Sequence, residues 1–328
     1  TNKTALSTFI LPNKFFTADY GKGLRRYLSK NNLLESIVDF GSNQIFSQAT
    51  TYTAIIQFGK ISEKFSYANL KEGTPEKELK DISFTKNDYK NLDEEKWIFC
   101  TPEESDILEK IDEHEGSARL QNIAERIFQG TNSGKDKVYV VKPLEERKNN
   151  YLVKSRITDS EHLIEKEILH PILKGSEIER YHIKEPDRMV IYPYKKEKYG
   201  NTDRRPLNEK ELKNNYPNTW SYLNEDEFKK ELRSRDYLMD AIEKGNMGYS
   251  YWYEMWKPRR LEWMTSKKLL TQVLAKRTSL AADDTGKYFF VGGGTAGGNG
   301  VILKDVERYY QSLLNSSLTS FYLIKRAI

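Results

Sequence analysis

The sequence predicts an incomplete α/β sheet followed by a mixed α+β domain. The first 58 residues read strand, helix, strand, polar loop, strand, which is the tail of an α/β sheet and too little to bury a core alone. The rest alternates short apolar runs, turn residues and long charged helical stretches, with no internal repeat. A chain of 328 residues is long enough for two domains with cores of their own.

Each element has a local reason. Phe9 to Pro12 reads as a short buried strand stopped by the proline. Asp19 can cap a helix over Tyr20 to Ser29, with Leu24 and Leu28 on one face. Leu33 to Phe40 and Thr51 to Phe58 carry the β-branched and aromatic content of strands. Gly59 to Lys96 is polar, with Lys71 to Lys80 expected as an exposed loop or hairpin tip. Thr101-Pro102 opens a helix over Glu103 to His114, and the domain boundary is placed there, giving 1–100 and 101–328. Ile127 to Val141 reads as strand, glycine-rich turn, strand, and Arg188 to Tyr194 as a strand. Asn208 to Lys244 has helical periodicity interrupted at Tyr216-Pro217. Leu269 to Ala275, Lys287 to Val291 and Val301 to Lys304 are expected strands, and Asp305 to Asn315 a helix.

Composition narrows the class. Hydrophobic residues make up 38% and charged residues 31%, as in a globular protein with a heavily solvated surface. No apolar run approaches the ~18 residues of a bilayer span, and no signal-peptide pattern opens the chain, so no membrane partner is expected. Cys100 is the one cysteine, which excludes an internal disulfide framework and fits a cytoplasmic protein. Thr1 stands where a start methionine would, close to the first strand, as in an excised fragment. With 53 basic and 48 acidic residues the net charge is +5, a weak footprint for nucleic acid; its distribution says more. Acid gathers in Asp93 to Glu115, whereas Lys257 to Arg277 is basic and aromatic.

Two stretches carry a family resemblance. IVDFGSNQIFSQATTYTAIIQF (Ile37 to Phe58), with FILPNKFF (Phe9 to Phe16) before it, resembles the closing half of TaqI-like N6-adenine DNA methyltransferases of restriction–modification systems. From Ile123 onward, IFQGTNSGKDKVYVV, ILHPILKGSEIERY, RMVIYPY, YPNTWSYLNEDEFKKELRSRD and WYEMWKPR are similar, in order and spacing, to the specificity domain of that family. The resemblance implies the α/β tail of a Rossmann-like methyltransferase sheet followed by a mixed α+β target-recognition domain. It also implies that Phe46 takes the place of an aromatic that packs against the extruded adenine, offsetting part of the few kcal/mol of unstacking. A core position under the sheet is the other reading of Phe46. The family's catalytic [NDS]PP[YFW] motif needs adjacent prolines, and none of the ten prolines here adjoins another. Its FxGxG cofactor motif is missing too; Gly21 and Gly23 have the spacing but open a helix. The expected role is therefore DNA sequence recognition and adenine positioning, with no S-adenosylmethionine bound by this part. The expected partners are double-stranded DNA and an upstream catalytic half.

Other motifs are decoys. GTNSGK (Gly130 to Lys135) is one residue short of a phosphate loop, and Asp136 replaces the magnesium-binding hydroxyl. Gly292, Gly294 and Gly297 satisfy GxGxxG, but Gly298-Asn299-Gly300 breaks any helix, leaving a flexible hairpin loop. The four histidines and Cys100 have no metal-ligand spacing, and no metal is expected. Glu94-Glu95-Lys96 ends like a nuclease motif yet reads as a solvated acidic turn. The Trp residues of SYWYEMWKPRRLEW (Ser250 to Trp263) are expected mainly in the core. Arg259, Arg260, Lys276 and Arg277 are the candidate phosphate contacts, because guanidinium and ammonium groups neutralise phosphate. Gln129, Thr131, Asn132, Ser133, Lys135 and Lys137 form a donor- and acceptor-rich turn suited to base edges, and Lys174 and Ser176 a second one. The competing class is a non-catalytic protein-interaction scaffold that docks partners through its aromatic surface.

Overall fold

The computed structural model describes residues 5–41, 43–46, 51–59, 63–70, 82–89, 92–196, 205–275, 277–304 and 307–326. Lys71 to Lys80, expected as a loop or hairpin tip, lies outside them. The chain forms two compact units, residues 1–117 with 322–328, and residues 118–321.

The first unit is built on five strands: β1 (Ser7–Pro12), β2 (Leu34–Asp39), β3 (Thr53–Phe58), β4 (Lys64–Asn69) and β5 (Thr85–Asp88), in the order β1-β3-β2-β4-β5. β3 runs antiparallel to both β1 and β2, while β2 and β4 are parallel. Helix α1 (Lys22–Lys30) buries Leu28 against a core that includes Phe15, Phe16, Ile37, Ile56, Phe65 and Trp97. Arg25 is buried on the same helix because backbone oxygens satisfy it, those of Phe15 at 2.6 Å and Ala18 at 2.7 Å. Gly21 is the residue before α1 and Gly23 lies in its first turn; a Cβ on Gly21 would sit 2.2 Å from the Phe15 carbonyl oxygen. Asp19 makes no side-chain cap and belongs to a short 3-10 turn instead. β1 departs from the expected buried strand. It is an edge strand, with Phe9 51% and Ile10 56% exposed, because only β3 pairs with it among the described residues. α2 (Pro102–Glu113) starts at a capping box in which Thr101 and Glu104 satisfy each other's backbone N–H groups. Glu94 and Glu95 pair with Lys22 at the surface, as a solvated turn does.

The second unit opens with a short helical turn, α3 (Leu120–Ile123), and β6 (Ala124–Gln129); a second turn, α4 (Asp136–Tyr139), leads into β7 (Val140–Glu146). The Gly130 to Lys135 loop is thus followed by one helical turn and then a strand. Then come β8 (Asn150–Lys154), β9 (Glu161–Glu165), β10 (Leu169–Leu173), β11 (Ile178–Glu179), β12 (His182–Ile183) and β13 (Met189–Ile191). Helices α5 (Glu209–Asn215), α6 (Pro217–Asn224), α7 (Asp226–Arg233) and α8 (Asp236–Glu243) follow, broken at Tyr216-Pro217 as expected. The chain continues through α9 (Leu261–Met264), β14 (Lys268–Gln272), β15 (Leu280–Asp283), β16 (Phe289–Phe290), β17 (Gly298–Leu303), α10 (Glu307–Leu314) and α11 (Ser317–Arg326).

Two sheets carry this unit. One is six-stranded, β16-β10-β13-β7-β8-β9, and the other four-stranded, β15-β14-β17-β6. Strand alternation divides the core: Leu270 joins the main cluster, whereas Leu269 faces a smaller one with Val301 and Leu303, against which Tyr310 and Leu314 of α10 pack. Glu165 accepts from Asn218 N at 2.8 Å and Thr219 N at 3.0 Å, placing a carboxylate at the start of α6. Gly298-Asn299-Gly300 is part of β17, not a hairpin loop. A Cβ on Gly300 would lie 2.8 Å from the Phe128 ring and 2.9 Å from that of Phe290, so the missing side chains make room for aromatic packing. No described helix is long and apolar enough to cross a membrane.

Candidate nucleic-acid interface

The polar turns of the second unit meet at a glycine-lined backbone junction. Thr131 N donates to Phe290 O at 2.9 Å, Gly292 N to Thr131 O at 2.7 Å and Gly130 N to Gly298 O at 3.1 Å. Gly175 N donates to Ala296 O at 2.8 Å, bringing the Lys174 to Glu177 turn to the same place. Asn132 and Lys257 exchange backbone hydrogen bonds of 3.0 and 2.9 Å. No side chain fits between these segments. A Cβ on Gly130 would lie 2.2 Å from Phe290 O, on Gly292 2.0 Å from Gly130 O, and on Gly175 2.4 Å from Gly297 O. Gly293 and Gly294 follow at positive φ, 82° and 59°, in the exposed part of the loop.

Residues that sequence reading had not singled out hold the segment beside the junction. Tyr192 accepts from Arg259 N at 2.7 Å and donates to Arg259 O at 2.5 Å; Tyr194 accepts from Met255 N at 2.7 Å. Burial raises the Tyr194 pKa well above its ordinary value, so the hydroxyl stays protonated. Arg235, buried, donates to Glu254 O at 2.6 Å, Trp252 O at 2.7 Å and Ser133 O at 3.4 Å. A basic residue inside a helical run looks like surface in a sequence, so only the carbonyls that face Arg235 reveal its role.

The sequence-expected residues divide by exposure. Thr131 and Ser133, expected among the base contacts, are buried instead. The Thr131 hydroxyl meets Met255 Sδ and Lys257 O, and that of Ser133 donates to Asp136. Gln129, Lys137, Lys174 and Ser176 are exposed, and Asn132 is half-buried, accepting from Gly134 N at 2.9 Å. Lys135 is paired with Glu231 at 2.8 Å and donates to Ser234 at 2.9 Å; it holds the Glu231 carboxyl below its usual range. Arg259 Nε donates to Gln129 O at 2.8 Å. The Arg260 guanidinium lies 5.0 Å from the Trp263 ring centroid, Arg277 is exposed, and Lys276 lies outside the described residues. Trp252 and Trp263, with Trp220, are part-buried and pack against the main core cluster; Trp256 is part-buried and Trp97 is buried.

In the first unit Phe46 is 44% exposed and so is not a core residue. The segment leading to it is anchored at Asp39, whose carboxylate accepts from Asn13 at 3.0 Å, Gly41 N at 2.9 Å and Tyr67 at 3.2 Å. The described residues contain no group of three or more His, Cys, Asp or Glu placed to hold a metal ion.

The sequence model of the Eco57I restriction-modification methylase family matches residues 1–46. The type II restriction enzyme and methyltransferase RM.Eco57I of Escherichia coli is 27% identical over 326 residues, covering 96% of this chain and 31% of that protein. Among solved structures, the type IIL restriction–modification enzyme MmeI in complex with DNA shares the fold at a TM-score of 0.50 and 13% identity, over 96% of this chain and 35% of that one. The chain thus spans about a third of the length of the relatives it matches. It is homologous, over nearly its whole length, to the Eco57I restriction–modification enzyme.

Proposed function

We propose that this chain is the DNA-recognition and adenine-positioning part of a site-specific N6-adenine methyltransferase or fused restriction–modification enzyme. Residues 1–100 would close the Rossmann-like methyltransferase sheet, and residues 101–328 would form the target-recognition domain. The observation that carries the reading is the junction of the second unit, which gathers two polar turns and a basic segment around glycines without side chains. The buried glycines let these segments pack together, and the exposed Gly293 and Gly294 beside them let backbone approach a duplex while nearby side chains reach phosphates and base edges. Gln129, Asn132, Lys174 and Ser176 are assigned to base edges, and Lys137, Arg259, Arg260, Lys276 and Arg277 to phosphates. Thr131, Ser133 and Lys135 shape the turn from inside. Phe46 is assigned to the wall of the pocket for the flipped adenine.

Methyl transfer and S-adenosylmethionine binding are assigned to an upstream half carrying the motifs this chain lacks. The exposed edge of β1 supports that division, because an apolar edge with no second partner strand among the described residues asks for another strand. Fluorescence anisotropy with a labelled duplex tests the reading. Five phosphate contacts give a salt slope of about −4.5, or roughly five-hundred-fold weaker binding at 200 mM than at 50 mM. Absence of salt-sensitive duplex binding would overturn it in favour of a protein-interaction role.

A further inference from the structure

We infer that Asn299 and Gln129, side by side on β17 and β6, form a two-carboxamide reader that takes adenine at two neighbouring base pairs in the major groove. The inference rests on the DNA reading above and extends it to Asn299, which lies in a stretch that reads as a glycine loop. Asn299 and Gln129 are direct cross-strand partners, so their side chains leave the same face of the sheet. The bond from Gly130 N to Gly298 O flanks them. They are therefore a pair of the non-hydrogen-bonded type, in which opposite Cα atoms stand about 4.5 Å apart.

Nothing in the chain's own packing accounts for an asparagine here. Asparagine is a poor strand former. Asn299 is nonetheless inside β17 and half-buried, and its carboxamide makes no hydrogen bond among the described residues. The same holds for the carboxamide of the exposed Gln129. The opposite face of β17 is committed to close packing. A Cβ on Gly298 would lie 3.0 Å from Ile178 Cδ1, and one on Gly300 2.8 Å from the Phe128 ring. A part-buried carboxamide without a partner costs free energy that a bound ligand with matching donors and acceptors recovers. Adenine offers that match, its N7 accepting and its N6 donating to one Asn or Gln side chain.

Position supplies the geometry. β6 is the edge of its sheet, with β17 next to it, and the major groove admits two paired strands. Bases stacked about 3.4 Å apart fall within reach of two carboxamides on opposite residues. Ile127, two residues back along β6 on the same face, is exposed and suits the thymine methyl that an A·T pair presents there. Asn299 also lies between the two turns assigned to base edges. The first begins at Gly130, bonded to Gly298 O, and Gly175 of the second packs on Gly297 O. Arg259, assigned to phosphate, donates to Gln129 O at the end of the strand and so stands beside the pair.

The test uses the whole chain, the duplex it selects from a random pool, and a panel carrying every single base change in that duplex, all at one salt concentration. The wild type should prefer adenine at two neighbouring positions. Asn299→Ala should lose roughly 5- to 150-fold of preference at one and Gln129→Ala at the other, with binding to unrelated sequence unchanged. Asn299→Asp keeps the size and exchanges the donor for an acceptor, so preference at its position should move from adenine to cytosine, whose N4 donates. Replacing that adenine by 7-deazaadenine, which lacks the N7 acceptor, should weaken the wild type and leave Asn299→Ala unaffected. A loss of folding would not give that pattern. Thermal melting checks the fold, and if Asn299→Ala unfolds, the isosteric Asp variant decides. A wild type that selects a sequence, with its preferences unchanged in the folded Asn299 variants, overturns the inference and leaves the DNA reading standing. A wild type that selects no sequence removes both.

Discussion

His170 lies flat on Phe289, with ring centroids 4.0 Å apart and planes within 2° of parallel. Burial, with Lys196 and Lys268 adding to it, pushes its pKa down to about 4 from an ordinary 6.5. The unfolded chain therefore binds the proton first. Stability from the neutral ring is present in full above pH 6.5 and is lost as pH falls toward about 4. The expected loss is on the order of 3 kcal/mol. Denaturant titrations at pH 7 and pH 4.5 should show it, and His170→Phe should remove that part of the pH dependence. Asp39 has the opposite chemistry, a part-buried carboxylate serving donors from several elements. Asp39→Ala leaves those donors without their acceptor and should cost roughly 2–3 kcal/mol in melting experiments. Phe46→Ala, at an exposed site, should leave stability within about 0.5 kcal/mol. The exposure of a single residue was legible where type and neighbours decide it, as for the aromatic among polar residues at Phe46. Arg235 and Tyr192 were not, because their roles depend on which backbone groups face them.

The glycine junction is the element on which the proposed interface depends. Gly130→Ala and Gly292→Ala drive a methyl group into backbone, at 2.2 and 2.0 Å, and neither neighbour can rotate away. Each should cost several kcal/mol or prevent folding of the second unit, read by melting temperature and by hydrogen exchange at β6 and β17. Gly294→Ala meets no atom within 4 Å and pays only for its positive φ, about 1 kcal/mol. If all three substitutions proved equally mild, the junction would not be the close-packed element described here. The strands with apolar alternation and the break at Tyr216-Pro217 were visible in the chain. β4, β5 and β15 were not, since KFSYAN, TKND and LAAD are short and carry little periodicity. Gly298 to Gly300 read as a helix-breaking loop because glycine alone does not say that Phe128 and Phe290 occupy the space it leaves.

At the scale of the molecule, the mixed α/β character read from the sequence is present, with helices and sheets that combine parallel and antiparallel strands. The burial of β1 was misjudged for a reason rooted in this scale. FILP has the composition of a buried strand, and what covers such a strand need not be in the same hundred residues. The proposal places the upstream half of the sheet on that edge. Ile10→Lys should then leave the melting of this chain nearly unchanged but weaken its association with a separately expressed upstream half by at least tenfold in sedimentation experiments.

The central claim is that the second unit reads DNA sequence, and selection of bound duplexes from a random-sequence pool tests it most directly. The account predicts enrichment of one short sequence, with Gln129→Ala and Asn132→Ala each relaxing preference at particular positions by roughly 1–3 kcal/mol while the fold is kept. Salt-sensitive binding with no sequence enriched would contradict it, leaving a basic surface that holds DNA without reading it.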